Sequence, residues 1–124
     1  MHSPFHPLDH SSPHSPLLSV LIPAKDEVGN LPSLLDEISL ALRAVDHEVI
    51  VVDDASTDGT WEMLAQRAAQ DSRLRPLRHA RSAGQSTSVW QAAWAARGSW
   101  LGTLDGDGQN DPADLPKLFE RAQQ

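Results

Sequence analysis

The chain has no cysteine among its 124 residues. Disulfides, thiolate metal centres and cysteine nucleophiles are therefore excluded. Basic residues are scarce: 10 Lys and Arg stand against 17 Asp and Glu, for a net charge of −7. This balance argues against a nucleic-acid surface, which requires a basic stripe. An anionic ligand would need a metal ion or a few well-placed cations. No apolar run approaches the roughly 20 residues needed to cross a bilayer. The N-terminus lacks the basic and apolar regions of a secretory signal, so the cytoplasm is the expected compartment. Neither G-x-G-x-x-G nor G-x-x-x-x-G-K-[ST] occurs, which weighs against dehydrogenases and ATPases.

The residues that are present suffice for one packed domain, with 40% hydrophobic side chains. Residues 1–16, MHSPFHPLDHSSPHSP, differ from the rest. His2, His6, His10 and His14 have a helical spacing, but Pro4, Pro7, Pro13 and Pro16 break any helix, so a disordered His/Pro-rich tail is expected. The folded domain is expected over 17–124.

Within it, LLSVLIP (17–23), HEVIVVDD (47–54), LRPLRH (74–79) and SWLGTLD (99–105) read as strands. Pro76 places the third of these at a sheet edge. Between them lie helical patterns over 29–45, 58–70, 84–98 and 111–124. In the first, Leu31, Leu34, Leu35, Ile38 and Leu42 share one face, with Asn30 as the cap. In the second, Trp61, Leu64, Ala65 and Ala68 are expected inward. In the third, Trp90 and Trp94 are expected in the core, and Gly98 closes the helix. Alternating strands and helices predict an α/β fold with a mostly parallel four-stranded sheet covered on both faces. Right-handed crossovers bring every strand's carboxyl end to one rim.

The polar clusters fall on that rim, where open α/β sheets bind ligands. They are PAKDE (23–27), DDASTDGT (53–60), RHARSAGQ (78–85) and DGDGQND (105–111). Asp105, Asp107 and Gln109 offer oxygen donors from a tight turn, which suits Mg²⁺ or Mn²⁺. A calcium EF-hand loop fails, since the sixth and twelfth positions from Asp105 are Asn110 and Pro116. Asp111 and Asp58 read as helix caps. Asp54 is placed to accept from the N–H edge of a base. Lys25, Arg78 and Arg81 are the rim's cations, and Gly84, Gln85 and Ser86 open the third helix as an anion site.

Taken together, LSVLIPAKDEVGNL, VIVVDDASTDGT, RSAGQSTSVWQAAWAARG and LDGDGQNDPADLP resemble the family 2 glycosyltransferases of the GT-A fold. The last segment is similar to the D-x-D stretch of the polyprenyl-phosphate branch, the dolichol-phosphate mannosyltransferases and undecaprenyl-phosphate sugar transferases. Asp26 stands where that family usually has Asn, and Gln91 where Gly is common. The resemblance implies a Rossmann-like nucleotide-sugar-binding half. Its donor-binding residues would be Pro23, Ala24, Glu27, Asp54, Arg81, Gly84, Gln85, Asp105 and Gly106, with Pro23, Glu27 and Asp54 holding the nucleoside. The metal, Mg²⁺ or Mn²⁺, would sit on Asp105, Asp107 and Gln109. The implied reaction is inverting sugar transfer from a nucleotide-sugar to a polyprenyl phosphate, at the cytoplasmic side of the membrane. Catalytic residues are not assigned. Family members extend well beyond this length, so a donor half that is inactive alone is expected. The fourth strand is expected beside the first, its other edge unpaired and open to a second copy. A non-catalytic nucleotide-binding fragment and a receiver-like signalling domain are the alternatives.

Overall fold

In a computed structural model, the structure describes the backbone of residues 5–7 together with residues 16–106 and 111–124. Strand β2 (Leu18–Ala24) runs into helix α1 (Leu31–Ala41). Then follow β3 (His47–Asp53), α2 (Thr60–Ala68), β4 (Leu74–Arg78), α3 (Gln85–Ala95) and β5 (Trp100–Thr103). A 3-10 turn over Pro112–Asp114 leads into α4 (Leu115–Ala122). The order matches the alternation read from the sequence. Strands β2, β3, β4 and β5 are all parallel, in the spatial order β5-β2-β3-β4, so β5 lies beside β2 and the proline-bearing β4 is outermost.

One addition was not expected. Phe5–Pro7, within the segment read as a tail, form β1 and pair antiparallel with β5. The edge of β5 presents unpaired N–H and C=O groups, and a short extended segment satisfies them. That edge, expected to be open to a second copy, is therefore paired along Trp100–Gly102.

The strands are apolar on both faces because both are covered. Leu18, Val20, Ile22 and Ala24 of β2 join Leu31, Leu34, Leu35, Ile38 and Leu42 from the α1 segment, with Leu64, Leu115 and Phe119. Leu21, Ile50, Val52 and Leu101 face the other way, onto Ala92 and Ala96. The five predicted α1-face residues are all buried. Of the four predicted for α2, Leu64 is buried, Trp61 and Ala68 are half-buried, and Ala65 is exposed. Asn30 stands at the α1 N-cap position but makes no capping bond; its Nδ2 donates to Glu27 Oε2 (3.0 Å).

Helix α3 departs from expectation more sharply. Trp90 and Trp94 are 66% and 76% exposed and meet edge to face at 6.0 Å. The buried residues along this stretch are Ser88, Ala92 and Ala96. That four-residue series is offset by two positions from the tryptophans, which is about 200° around the helix. Small side chains let α3 sit close to the sheet, and the indoles point outward. Gly98 does not cap the helix either. Its N–H donates to Ser19 Oγ (2.8 Å), and a Cβ there would meet Ser19 Oγ at 2.6 Å and the Ser19 nitrogen at 2.7 Å. Gly98 is needed for close approach.

That contact belongs to a buried polar network at the rim opposite the predicted site. Glu48 Oε2 accepts from Ser19 Oγ (2.6 Å) and from the Arg97 N–H (2.7 Å), while Oε1 accepts from Arg75 (2.7 Å). Burial alone would raise the Glu48 carboxyl's pKa, but these donors outweigh it and hold the group below its usual range. The network fastens the end of α3 to β2, β3 and β4. Among the described residues, no helix is long and apolar enough to cross a membrane.

Candidate functional site

The carboxyl ends of β2 and β3 are laced together before either segment enters its helix. The Asp26 N–H donates to Ser56 Oγ (2.8 Å) and the Glu27 N–H to Thr60 Oγ1 (3.0 Å). In return, the Thr57 N–H donates to Asp26 Oδ1 (2.8 Å). Asp26 and Ala55 have left-handed backbone, at φ 53° and 62°. Asp and Asn tolerate this conformation better than most residues, which explains why Asp serves at position 26. Gly59, not Asp58, holds the N-cap position of α2, but Asp58 beside it still serves the helix start: Oδ1 accepts from the Thr60 N–H (3.0 Å), and Oδ2 from the Val28 N–H (3.2 Å). The Thr60 hydroxyl is the main cause holding the Asp58 carboxyl below its usual range. Asp111 likewise accepts from the Ala113 N–H (3.0 Å) at the start of the 3-10 turn.

Asp54 is the centre of the site's second wall. Its Oδ1 accepts from the Ala83 N–H (2.7 Å) and His79 Nδ1 (2.9 Å). Its Oδ2 accepts from Ser82 Oγ and the Gly84 N–H, each at 2.9 Å. Burial would raise this carboxyl's pKa, but the Ala83, His79, Gly84 and Ser82 donors together drive it far below the usual range. Both oxygens, expected to be free for a base edge, are thus engaged with the loop before α3. Gly84, at φ 95°, supplies the left-handed turn into that helix. His79 bridges Asp54 to Gln91 Oε1 on α3. Its pKa is raised, first by the Asp54 hydrogen bond and then by Gln91.

Between these walls lies a cavity of about 360 Å³, lined by Pro23, Ala24, Lys25, Glu27, Asp54, Ser82, Gly84, Gln85, Ser88, Asp105 and Gly106. Eight of the nine residues expected to bind the donor line it. Arg81 does not; it is exposed on the loop. Arg78 is also elsewhere, with its guanidinium 5.4 Å from the Trp61 ring and 4.0 Å from Asp53 Oδ2. Lys25 is the cation among the lining residues, and its Nζ donates to Ser82 Oγ (3.0 Å). Sequence reasoning left Ser82 and Ser88 out. Their signal was their place beside Gly84 and Gln85, at the mouth of a helix already assigned to the rim.

Asp105 leaves the end of β5 and reaches the cavity wall, where its Oδ1 accepts from Gln85 Nε2 (2.9 Å). A carboxylate there suits a hard divalent cation. Asp107 and Gln109, the other expected ligands, lie outside the described residues. Among the described residues, no group of three or more His, Cys, Asp or Glu is placed to hold a metal.

The sheet order and the position of the cavity define the class: an open, Rossmann-like α/β protein with a cavity at the carboxyl ends of its strands, where such sheets bind ligands. The chain belongs to glycosyl transferase family 2, whose sequence model matches residues 19–124. It is 37% identical over 111 residues to the undecaprenyl-phosphate 4-deoxy-4-formamido-L-arabinose transferase of Aeromonas hydrophila, covering 87% of this chain and 34% of that protein. It is 36% identical over 103 residues to the dolichol-phosphate mannosyltransferase of Pyrococcus furiosus, covering 83% of this chain and 29% of that one. The chain thus spans about a third of the length of these relatives. Among solved structures, S. aureus TarS shares the fold, with a TM-score of 0.71 at 23% identity over 86% of this chain and 32% of that one. The mannosyltransferase PcManGT of Pyrobaculum calidifontis, solved with GDP-Man and Mn²⁺, gives a TM-score of 0.67 at 26% identity over 82% of this chain and 31% of that one. A receiver-like domain is set aside by this membership.

Proposed function

We propose that the cavity binds the nucleoside diphosphate part of a nucleotide-sugar, and that the chain serves inverting transfer of the sugar to a polyprenyl phosphate. The observation that carries this reading is the joining of Lys25, Gln85, Gly84 and Asp105 in one cavity at the strand ends. A lysine and a helix N-terminus attract a diphosphate, whereas Asp105 repels it unless a cation stands between them. Mg²⁺ or Mn²⁺ on Asp105, with Asp107 and Gln109, reconciles the two. Once bound, it stabilises the charge of the departing diphosphate as a Lewis acid. PcManGT, with its GDP-Man and Mn²⁺, supports the same pairing of donor and metal. The names of the two transferase relatives support a polyprenyl phosphate acceptor. Such an acceptor is already an anion at neutral pH and needs little help from a general base. Being a lipid, it would place transfer at a membrane surface.

In this reading Pro23, Ala24 and Glu27 form the nucleoside side of the cavity. Asp54 serves it by holding the opposite wall in place. Backbone amide NMR with a nucleotide-sugar and Mg²⁺ tests the proposal. Signals of Lys25, Gly84, Gln85 and Gly106 are expected to shift together and saturably. Shifts confined to residues away from the cavity would count against it.

A further inference from the structure

His79 is not among the residues lining the donor cavity, yet it is joined to them through hydrogen bonds. Its Nδ1 lies 2.9 Å from Asp54 Oδ1, and its Nε2 faces Gln91 Oε1. Asp54 in turn holds Ser82, Ala83 and Gly84, and Ser82 accepts from Lys25. A continuous chain therefore runs from α3 through His79 and Asp54 to the one lysine of the cavity lining. Both ring nitrogens face oxygen acceptors. With Gln91 Oε1 toward Nε2, the imidazolium serves both acceptors at once, whereas a neutral ring that donates to Asp54 has no N–H left for Gln91.

We propose that His79 is a positioning residue for the donor cavity. As an imidazolium it clamps Asp54 and Gln91 and so fixes the Ser82–Gly84 wall. Loss of its proton loosens that wall and weakens nucleotide-sugar binding. The inference rests on the donor-binding reading given above.

The surroundings fit a titrating group. The ring's side chain is 11% exposed. It borders a second cavity of about 540 Å³, lined by Ala55, Ser56, Thr57, Arg78, His79 and Ala80, which gives a route for protons that does not pass through the donor site. The charged groups around it are Asp54 and Asp53 at the end of β3 and Arg78 on β4; α3 contributes the neutral Gln91. The two carboxylates favour the charged ring, and its pKa is raised above the ordinary 6.5 accordingly. The ring therefore keeps its proton to a higher pH than a free histidine does.

Two measurements on the full chain test this. The first is calorimetry with UDP-GlcNAc and with GDP-mannose in Mn²⁺, from about pH 5.5 to about pH 8; nucleotide-sugars have no phosphate group titrating in this range. Affinity is expected to fall with rising pH, to roughly a tenth across the His79 titration. A His79→Phe chain is expected to bind weakly at every pH with a flat profile, and His79→Asn, which keeps a donor toward Asp54, to recover part of the low-pH affinity without the pH dependence. Wild type and His79→Phe sharing one pH profile would overturn the proposal. The second is NMR of the ligand-free wild type. The Ala83 and Gly84 amide signals are expected to titrate with the same midpoint as the His79 ring, and independence of the two would refute the coupling. If neither sugar nucleotide binds at any pH, the donor reading fails, while the NMR titration still decides whether His79 sets the wall. It also decides the matter if a variant does not fold.

Discussion

Asp54 shows how one carboxylate can do structural work in the wall of a cavity. Its oxygens take the backbone N–H groups of Ala83 and Gly84, the Ser82 hydroxyl and His79. Asp54→Asn would put an amide N–H₂ against at least one of these donors. The expected cost is about 2–3 kcal/mol of stability, because hydrogen bonds to a buried charge are lost and a donor is left unpaired; urea unfolding measures it. The same residue sets a pH dependence. The Asp54 carboxyl's pKa is depressed in the fold, so its contribution is present above its ordinary 3.8 and is lost as pH falls through the lower folded value. His79 has the opposite sign. Its pKa is raised, so its contribution is fully present below 6.5 and is lost as pH rises through the folded value. The melting-temperature difference between wild type and His79→Phe is therefore expected to be largest below the ordinary 6.5 and to shrink as pH rises through the higher folded value. A difference that grew with pH would contradict the assignment of the charged ring.

At the scale of elements, helix α3 was the hardest to read. Its tryptophans are spaced as a buried stripe would be, but Ser88, Ala92 and Ala96 take the inward face. Hydrophobicity alone cannot choose between two faces when one is large and aromatic and the other small. Close packing against the sheet made the choice here, through the Gly98–Ser19 contact and the Glu48 network. Trp94→Gln is accordingly expected to change stability by less than about 0.5 kcal/mol, where a core tryptophan would cost several. Gly98→Ala is expected to cost about 1–3 kcal/mol, because its Cβ would press on Ser19 backbone at 2.7 Å. Gly29→Ala, with open space around its added Cβ, is the control expected to cost far less. Thermal unfolding of the three variants distinguishes these outcomes. By contrast, β2 and β3 were legible from sequence to within a residue at each end, and α1 in its buried face, although the helix spans Leu31–Ala41 rather than 29–45. Their apolar runs are long, bounded by Pro23, Asp53 and Asn30, and buried on every face the pattern implied.

For the whole molecule, the parallel order was legible because each strand alternates with a helix and each polar cluster follows a strand. That reasoning places Lys25, Asp54, Gly84 and Asp105 on one rim, and they meet there around one cavity. Two features escaped it. The pairing of Phe5–Pro7 with β5 is set by an open sheet edge rather than by local pattern. The separation of Arg81 from the cavity follows from a loop shaped by Asp54 from another strand, which no local reading of RHARSAGQ contains. The central claim is that these parts together make a metal-dependent seat for a nucleotide-sugar. Calorimetry of the chain with UDP- and GDP-sugars, in Mn²⁺ and again in EDTA, tests it most directly. Saturable one-to-one binding of a nucleotide-sugar that is lost in EDTA and weakened at least about tenfold by Asp105→Asn is the predicted result. Binding of equal strength with and without metal, or none to any nucleotide-sugar in either condition, would contradict the account.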